Sequence, residues 1–124
     1  MKKLWLSSAL TLWATASLAA DPAEGVWKSP TYEDGSFLMV TIAACGAKIC
    51  GTISSVNNID PDPTGKRLFW DMVSEGGGKY SGGKVWDPEE DRKYKGKLDL
   101  SGNTIKISGC LFGICEGEDF TRAK

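Results

Sequence analysis

The sequence contains no histidine among its 124 residues. General acid and base catalysis near neutral pH most often uses histidine, so Ser-His and Cys-His nucleophile systems are excluded. A catalytic pair of carboxylates, as in a glycan hydrolase, stays open as an alternative. Most Asp and Glu residues, however, stand in turn sequences where Asp starts a turn and charge meets solvent. We therefore expect a protein that is not an enzyme and that uses no cofactor.

Long apolar runs are also missing, because the run from Leu4 to Trp13 is shorter than the about 20 residues needed to cross a bilayer. Two lysines precede this run, and small residues follow it, with Ser17 and Ala19 at the positions that a signal peptidase reads. The pattern predicts a secretory signal peptide over residues 1–19. No cysteine follows to accept a lipid, so we expect no membrane anchor and a periplasmic or secreted protein.

Cleavage after Ala19 would leave 105 of the 124 residues and remove Lys2 and Lys3, so that 13 basic and 16 acidic residues remain. This length predicts a single domain over residues 20–124, with one core. The resulting formal charge of −3 does not favour nucleic acid as a partner.

Helical periodicity of useful length is absent from the rest of the chain. Short β-rich runs alternate instead with Gly, Asp, Asn and Pro clusters, a pattern typical of an all-β sandwich or barrel. The sequence predicts eight strands, near residues 25–29, 36–44, 48–56, 67–73, 79–86, 92–100, 103–110 and 115–122.

The four cysteines form two pairs with four residues between the members, Cys45 with Cys50 and Cys110 with Cys115. A redox dithiol is normally C-x-x-C, and zinc sites favour pairs in tight knuckle turns or with histidine partners, whereas this chain has no histidine. We therefore expect no metal, and outside the cytosol two disulfides are the ordinary outcome. Only the local pairing of the three that are possible places each pair across one turn.

Cross-strand registers support the local pairing. With Cys110 opposite Cys115, Lys106 meets Asp119 on the outer face and Ile105 meets Phe120 on the inner face. The same test on the first hairpin sets Ile42 against Ile53 inside and Thr41 against Ser54 outside. Both disulfides are thus predicted at hairpin tips, away from the core.

Four segments resemble, in order and spacing, the bacterial secreted proteins classed as domain of unknown function 2147. They are CGAKICG at 45–51, YSGGKVWDPEEDRKYKGKL at 80–98, ISGCLFGIC at 107–115 and FTR at 120–122. The resemblance covers essentially the whole mature chain, although Tyr80 and Phe120 stand where Trp is commoner. It implies a small, antiparallel, eight-stranded up-and-down β-barrel that is lipocalin-like, and it implies no established activity.

The Gly25-Val26-Trp27 segment is similar to the G-x-W motif of lipocalins and fatty-acid-binding proteins. In those proteins a basic residue of the last strand packs over the Trp and closes one end of the barrel. The resemblance therefore implies that Trp27 and Arg122 are the barrel-closing pair, held by a cation–π contact.

Small eight-stranded barrels are either filled by side chains or hold one small ligand. We expect a small apolar or amphipathic molecule in the interior, lined by Trp70, Trp86, Tyr94, Leu98 and Phe120. Glu118 falls on the inner face beside Ile107, where it lies at an open mouth, meets a cation or ligand, or is turned outward by a bulge. The alternative is a filled barrel that acts through its surface, with acidic turns and Phe112 contacting an envelope protein as an interaction or inhibitor module.

Overall fold

The computed structural model describes residues 20–124, so the signal peptide predicted over residues 1–19 lies outside the described residues. Within the described part, no helix is long and apolar enough to cross a membrane. All of its regular structure consists of β-strands, as the spacing of turn residues predicts.

The strands follow one another along the chain and are joined mostly by short turns. In chain order they are β1 (Gly25–Lys28), β2 (Phe37–Cys45), β3 (Lys48–Asn57), β4 (Arg67–Gly76), β5 (Lys79–Ser81), β6 (Lys84–Asp87), β7 (Arg92–Ser101), β8 (Thr104–Leu111) and β9 (Ile114–Arg122).

These strands close into an antiparallel, eight-stranded barrel. Apart from β5 and β6, consecutive strands pair with one another, and β1 pairs with β9 to complete the ring. β5 and β6 both lie between β4 and β7, so together they fill the position of one strand. Closure leaves no unpaired sheet edge. The predicted all-β, up-and-down barrel is therefore confirmed.

The strand predicted near residues 79–86 is interrupted at Gly82 and Gly83. Gly83 packs so closely on the backbone of Trp70 and Asp71 that a Cβ atom would overlap both. Asp71 itself has a φ of 58°, which marks a local irregularity in β4. The break between β5 and β6 thus lies against the distorted part of β4.

The register predicted for the last hairpin is confirmed. Cys110 lies opposite Cys115, Lys106 opposite Asp119, and Ile105 opposite Phe120. A disulfide joins Cys110 and Cys115, whose Cα atoms are 4.0 Å apart.

The register predicted for the first hairpin is wrong by two residues. Cys45 lies opposite Lys48, and Cys50 lies opposite Ala43, so Gly46 and Ala47 alone form the turn. The predicted disulfide still forms, with the two Cα atoms 5.8 Å apart. Because side chains alternate with a period of two, this shift leaves each side chain on its predicted face. Two-residue turns are the commonest hairpin connections, and Gly46 supplies the positive φ of 69° that such a turn requires.

One end of the barrel, which we call the base, is filled by core residues. Trp27 and Ile105 are completely buried there. The segment before β1 covers this end: the indole N–H of Trp27 donates to the carbonyl of Ala23 at 2.9 Å, and the hydroxyl of Tyr80 donates to the carboxylate of Asp21 at 2.5 Å. The base is therefore closed by both side chains and main chain.

Candidate functional site

The opposite end of the barrel, which we call the mouth, opens into a cavity of about 1520 Å³. Four connections surround it: residues 29–36 between β1 and β2, residues 58–66 between β3 and β4, residues 88–91 between β6 and β7, and residues 112–113 between β8 and β9. Because strands alternate in direction, the four connections at the mouth are separate from those at the base. Residues far apart in the sequence thus meet around one opening.

The floor of the cavity is apolar. Leu38, Leu68, Val85, Ile107 and Phe120 line it, and each is at most 8% exposed. These residues belong to five different strands, and their buried side chains meet below the opening. Such a surface binds apolar groups by removing them from water.

The rim of the cavity is polar and carries mostly negative charge. Its carboxylates come from Asp34, Asp60, Asp62, Asp87, Glu89, Glu90, Asp91, Glu116 and Glu118, and among the residues that line the cavity only Lys66 is basic. The cavity therefore combines an apolar floor with a charged opening, an arrangement suited to an amphipathic molecule.

Several of these carboxylates are held by local turn hydrogen bonds. Asp34 accepts the backbone N–H of Ser36 at 2.9 Å, and Asp62 accepts that of Thr64 at 2.8 Å. The hydroxyls of Ser36 and Thr64 also donate to these two carboxylates, and they are the largest reason why the pKa of each lies below its usual value. Turn geometry therefore accounts for both acidic residues.

Glu118 lies opposite Ile107 at the open mouth. This position is one of the three alternatives that the sequence leaves open for the residue. Its carboxylate accepts a hydrogen bond of 2.7 Å from the hydroxyl of Tyr32, in the connection between β1 and β2. Burial of the phenol, followed by the bond to Glu118, raises the pKa of Tyr32 well above its ordinary value near 10. Tyr32 therefore stays a neutral donor at physiological pH.

Two predicted aromatic residues stand on the wall between floor and rim. Tyr94 is half-buried, and its hydroxyl donates to Glu90 at 3.2 Å. Trp86 is also half-buried, and its indole N–H donates to Asp91 at 2.8 Å, which fixes the plane of the ring. Together with Phe120 and Glu118, these residues line the cavity, so four of the predicted ligand-binding positions meet in one place.

Trp70 and Leu98 are not on the cavity wall, in contrast to the sequence prediction. Leu98 is 2% exposed and lies in the closed core toward the base. Trp70 lies opposite Lys84 on the outer face, where it lines a separate groove of about 460 Å³. The inward positions of β4 belong instead to Phe69 and Met72, because the irregularity at Asp71 adds a residue between them.

At the base, the guanidinium of Arg122 lies 4.3 Å from the centre of the Trp27 ring. Arg122 also donates to the carbonyl oxygens of Glu24 at 3.0 Å and Pro22 at 2.8 Å. The pair implied by the G-x-W resemblance is thus in contact, at the end of the barrel away from the cavity.

Sequence reasoning missed several residues of the cavity, above all Tyr32, Leu38, Leu68 and Val85. The sequence could have identified Val85 as an inward-facing residue, since it alternates with Lys84 and Trp86 in a strand. Tyr32 carried no signal, because it belongs to a loop without periodicity and meets Glu118 only through the closure of the barrel.

Within residues 20–124, Cys45, Cys50 and Asp71 are the one group of potential metal ligands that lies close together. Both sulfur atoms of this group are joined in a disulfide, so they are not available as thiolate ligands.

Comparison with solved structures shows a similar fold in a bacterial protein. Protein HP1028 from Helicobacter pylori, described as belonging to the lipocalin family, superimposes with a TM-score of 0.66 over 82% of each chain, at 12% sequence identity. At this identity the likeness concerns the fold alone, and it agrees with the implied lipocalin-like barrel. No curated protein sequence matches the chain.

A family model described as an uncharacterized protein conserved in bacteria matches residues 25–122, from the first strand to the last. The match spans the closed base, the cavity and both disulfides. The chain therefore belongs to the DUF2147 family of uncharacterized bacterial proteins.

Proposed function

We propose that the protein binds a small apolar or amphipathic molecule in the cavity at the mouth of the barrel. The observation that carries the proposal is the apolar floor of five buried side chains beneath an open, polar rim. Lipocalin-like barrels of this size hold one small ligand when they are not filled by their own side chains. No catalytic step is part of the proposal.

In the proposed complex, the apolar part of the ligand lies against Val85, Tyr94 and Phe120. Its polar part meets Glu118 and Tyr32 at the rim, where their hydrogen bond of 2.7 Å is already in place. A preformed polar pair of this kind orients a ligand with little reorganisation of the protein.

Two disulfides in a protein of a bacterial family indicate an extracytoplasmic location. We infer further that the protein is periplasmic or secreted after removal of residues 1–19. A carrier in that compartment meets apolar molecules of the envelope and shields them from water.

The exposed tip of the last hairpin favours a second candidate function. Phe112 is 94% exposed, Ile114 is 70% exposed, and Leu111 is 52% exposed. Phe112 also adopts a φ of 53°, which is unfavourable for a bulky residue. An apolar tip of this kind fits contact with an envelope protein.

Native mass spectrometry and a fluorescent probe test the main proposal together. The protein, produced from its complete chain and purified without denaturation, is expected to carry an adduct of small-molecule mass that is lost on unfolding. After the adduct is removed, N-phenyl-1-naphthylamine, an uncharged apolar fluorophore, is expected to bind. The proposal is contradicted if the protein carries no adduct and does not bind the fluorophore. A copurifying protein in place of a small molecule supports the second candidate function.

One pair of variants localises the binding. Ile107→Trp places an indole into the cavity floor, whereas Lys106→Trp, one residue earlier on β8, places the same indole on the outer face. We expect Ile107→Trp to weaken fluorophore binding about tenfold or more, because the indole fills space in which the apolar fluorophore would otherwise be buried. Lys106→Trp is expected to bind normally, and equal binding by the two variants contradicts the site.

A further inference from the structure

The outer face of β4, β6 and β7 carries tryptophan and lysine side chains in neighbouring positions. Trp70 lies opposite Lys84, Lys84 lies opposite Lys95, and Trp86 lies opposite Lys93. Directly opposed residues of antiparallel strands point to the same side of the sheet. These five strand positions thus form one continuous outer patch.

Part of this patch is a groove of about 460 Å³, which we call the outer groove. It is lined by Lys66, Arg67, Trp70, Trp86, Asp91 and Lys93. The ammonium of Lys66 lies 5.3 Å from the centre of the Trp86 ring, and that of Lys93 lies 6.0 Å from the centre of the Trp70 ring. The groove therefore presents two indoles with cations around them.

The lysines of this patch have no counter-ion in the described chain. The ion pair found within residues 20–124 joins Lys79 and Asp99, away from the outer groove. Lys84 and Lys95 are directly opposed like charges, an arrangement that costs stability. Asp91 is the carboxylate of the groove, and it accepts the indole N–H of Trp86 at 2.8 Å.

Unlike these lysines, several acidic residues of the mouth have partners within the described chain. Asp34 and Asp62 close turns, Asp91 holds Trp86, and Glu118 and Glu90 accept tyrosine hydroxyls. Hydrogen bonds within the protein therefore explain the positions of these carboxylates, whereas the lysines of the outer patch have no ion-pair partner in the described chain. The charge of the outer groove that lacks a partner is positive.

One indole is held by a hydrogen bond, and the strand that carries the other packs closely on its neighbour. The bond to Asp91 orients Trp86, and Gly83 lies close against the backbone of Trp70 and Asp71 in β4. Both tryptophans are half-buried, so part of each side chain is open to solvent. Partly exposed indoles are platforms for the apolar C–H face of a sugar ring, and surrounding lysines and arginine bind phosphate or carboxylate.

We propose that the outer groove is a second binding site, for a sugar that carries a phosphate or carboxylate group. The sugar ring stacks on Trp70 and Trp86, and the anionic group meets Lys93 and Arg67. The volume of the groove lies within the range of small-molecule sites. The outer wall of a barrel is convex, which favours a small ring in a depression over a flat lipid surface.

The site differs from the cavity of the proposed function. Arg67, Trp70 and Lys93 line the outer groove and not the cavity, although Trp86 and Lys66 border both. Variants of the first three residues therefore test the outer groove without disturbing the apolar floor, and the two proposals fail independently.

Nuclear magnetic resonance of the indole N–H groups tests the proposal. The probes are glucose 6-phosphate, glucose and inorganic phosphate, added to the oxidised protein. We expect saturable shifts of the Trp70 and Trp86 signals with glucose 6-phosphate. Trp27 is the internal control, because its indole N–H is bonded to Ala23 in the closed base. Absence of saturable shifts at millimolar glucose 6-phosphate overturns the proposal.

Charge variants complete the test. Arg67→Gln and Lys93→Gln are each expected to weaken glucose 6-phosphate binding about tenfold, as loss of one charge-assisted hydrogen bond predicts. Lys106→Gln, on the outer face of β8 and outside the groove, is the matched control and is expected to have no effect. Equal affinity for inorganic phosphate and glucose 6-phosphate overturns the role of the indoles. Binding to phosphatidylglycerol vesicles without binding to the sugar overturns the ligand class in favour of a lipid surface.

Discussion

At the scale of single residues, Arg122 joins three parts of the base. Its guanidinium contacts the Trp27 ring and donates to the carbonyl oxygens of Pro22 and Glu24. The main-chain segment before β1 has few other ties to the barrel, among them the bond from Tyr80 to Asp21. One side chain therefore contributes to both a cation–π contact and the closure of the barrel.

Arg122→Gln is expected to lower the free energy of unfolding by about 1 to 3 kcal/mol, since it removes charge-assisted hydrogen bonds and the stacked cation. Arg122→Lys keeps the charge but not the planar fork, so it is expected to recover only part of the loss. Urea denaturation measures both, with exposed Arg92→Gln as the control. A Gln variant as stable as the parent protein would show that the base does not depend on this residue.

At the scale of the elements, two hairpins carry one disulfide each, and they lie at opposite ends of the barrel. The β2–β3 hairpin turns at the base, and the β8–β9 hairpin turns at the mouth. The surroundings of the sulfur atoms differ. Each pair has one buried member, Cys50 at 5% and Cys110 at 9% exposure, but the sulfur of Cys50 also accepts the backbone N–H of Asp71 at 3.4 Å.

Removing the mouth disulfide with Cys110→Ala and Cys115→Ala is expected to lower the free energy of unfolding by about 2 kcal/mol, the value for closing so short a loop. Removing the base disulfide with Cys45→Ala and Cys50→Ala is expected to cost more, because the hydrogen bond from the Asp71 N–H in β4 to the Cys50 sulfur is lost as well. Chemical denaturation of the two double variants gives the comparison. A larger loss from the mouth pair would be contrary to this order.

At the scale of the whole molecule, one tyrosine hydroxyl acts at each end of the barrel. Tyr80 donates to Asp21 at the base, and Tyr32 donates to Glu118 at the mouth. Burial first, and then the neighbouring carboxylate, raises the pKa of both phenols above the ordinary value near 10. Both hydroxyls can donate only while they keep their protons.

The raised pKa values predict a loss of stability in alkaline solution. A phenol with a folded-state pKa above its unfolded-state value stabilises the fold fully below the unfolded-state value, and this contribution is lost as the pH rises through the folded-state value. Stability is therefore expected to fall above about pH 10. Tyr32→Phe and Tyr80→Phe are each expected to make the fall less steep, while Tyr94→Phe serves as the hydroxyl-removal control. Identical pH profiles for all variants and the parent protein would contradict the assignment.

Local patterns in the sequence were sufficient for much of the architecture. The alternation in β7 and β8, the spacing of the turns and the even spacing of the cysteines predict an all-β chain and both disulfides. They also predict the complete register of the last hairpin, because pairing Cys110 with Cys115 there brings opposite charges and apolar residues together. Sequence alone was insufficient at the first hairpin, where a register two residues away keeps the same faces.

The position of Trp70 needed the tertiary structure. An alternating pattern assigns faces only while the alternation is unbroken, and the irregularity at Asp71 places Phe69 and Met72 inward and Trp70 outward. That distortion depends on contact between Gly83 and the neighbouring strand, which no local pattern in β4 contains. The outer groove follows from the same distortion.

The sequence by itself determined which side chains point inward in the strands whose alternation is unbroken, such as β7 and β8, since strand periodicity is a local property of the chain. It also determined that the chain forms two local disulfides. Only the tertiary structure decided that the barrel is filled at the base and open at the mouth. Whether an interior is hollow depends on the volume of side chains from all strands together and on the loops that surround the opening, and both are fixed only when the barrel closes.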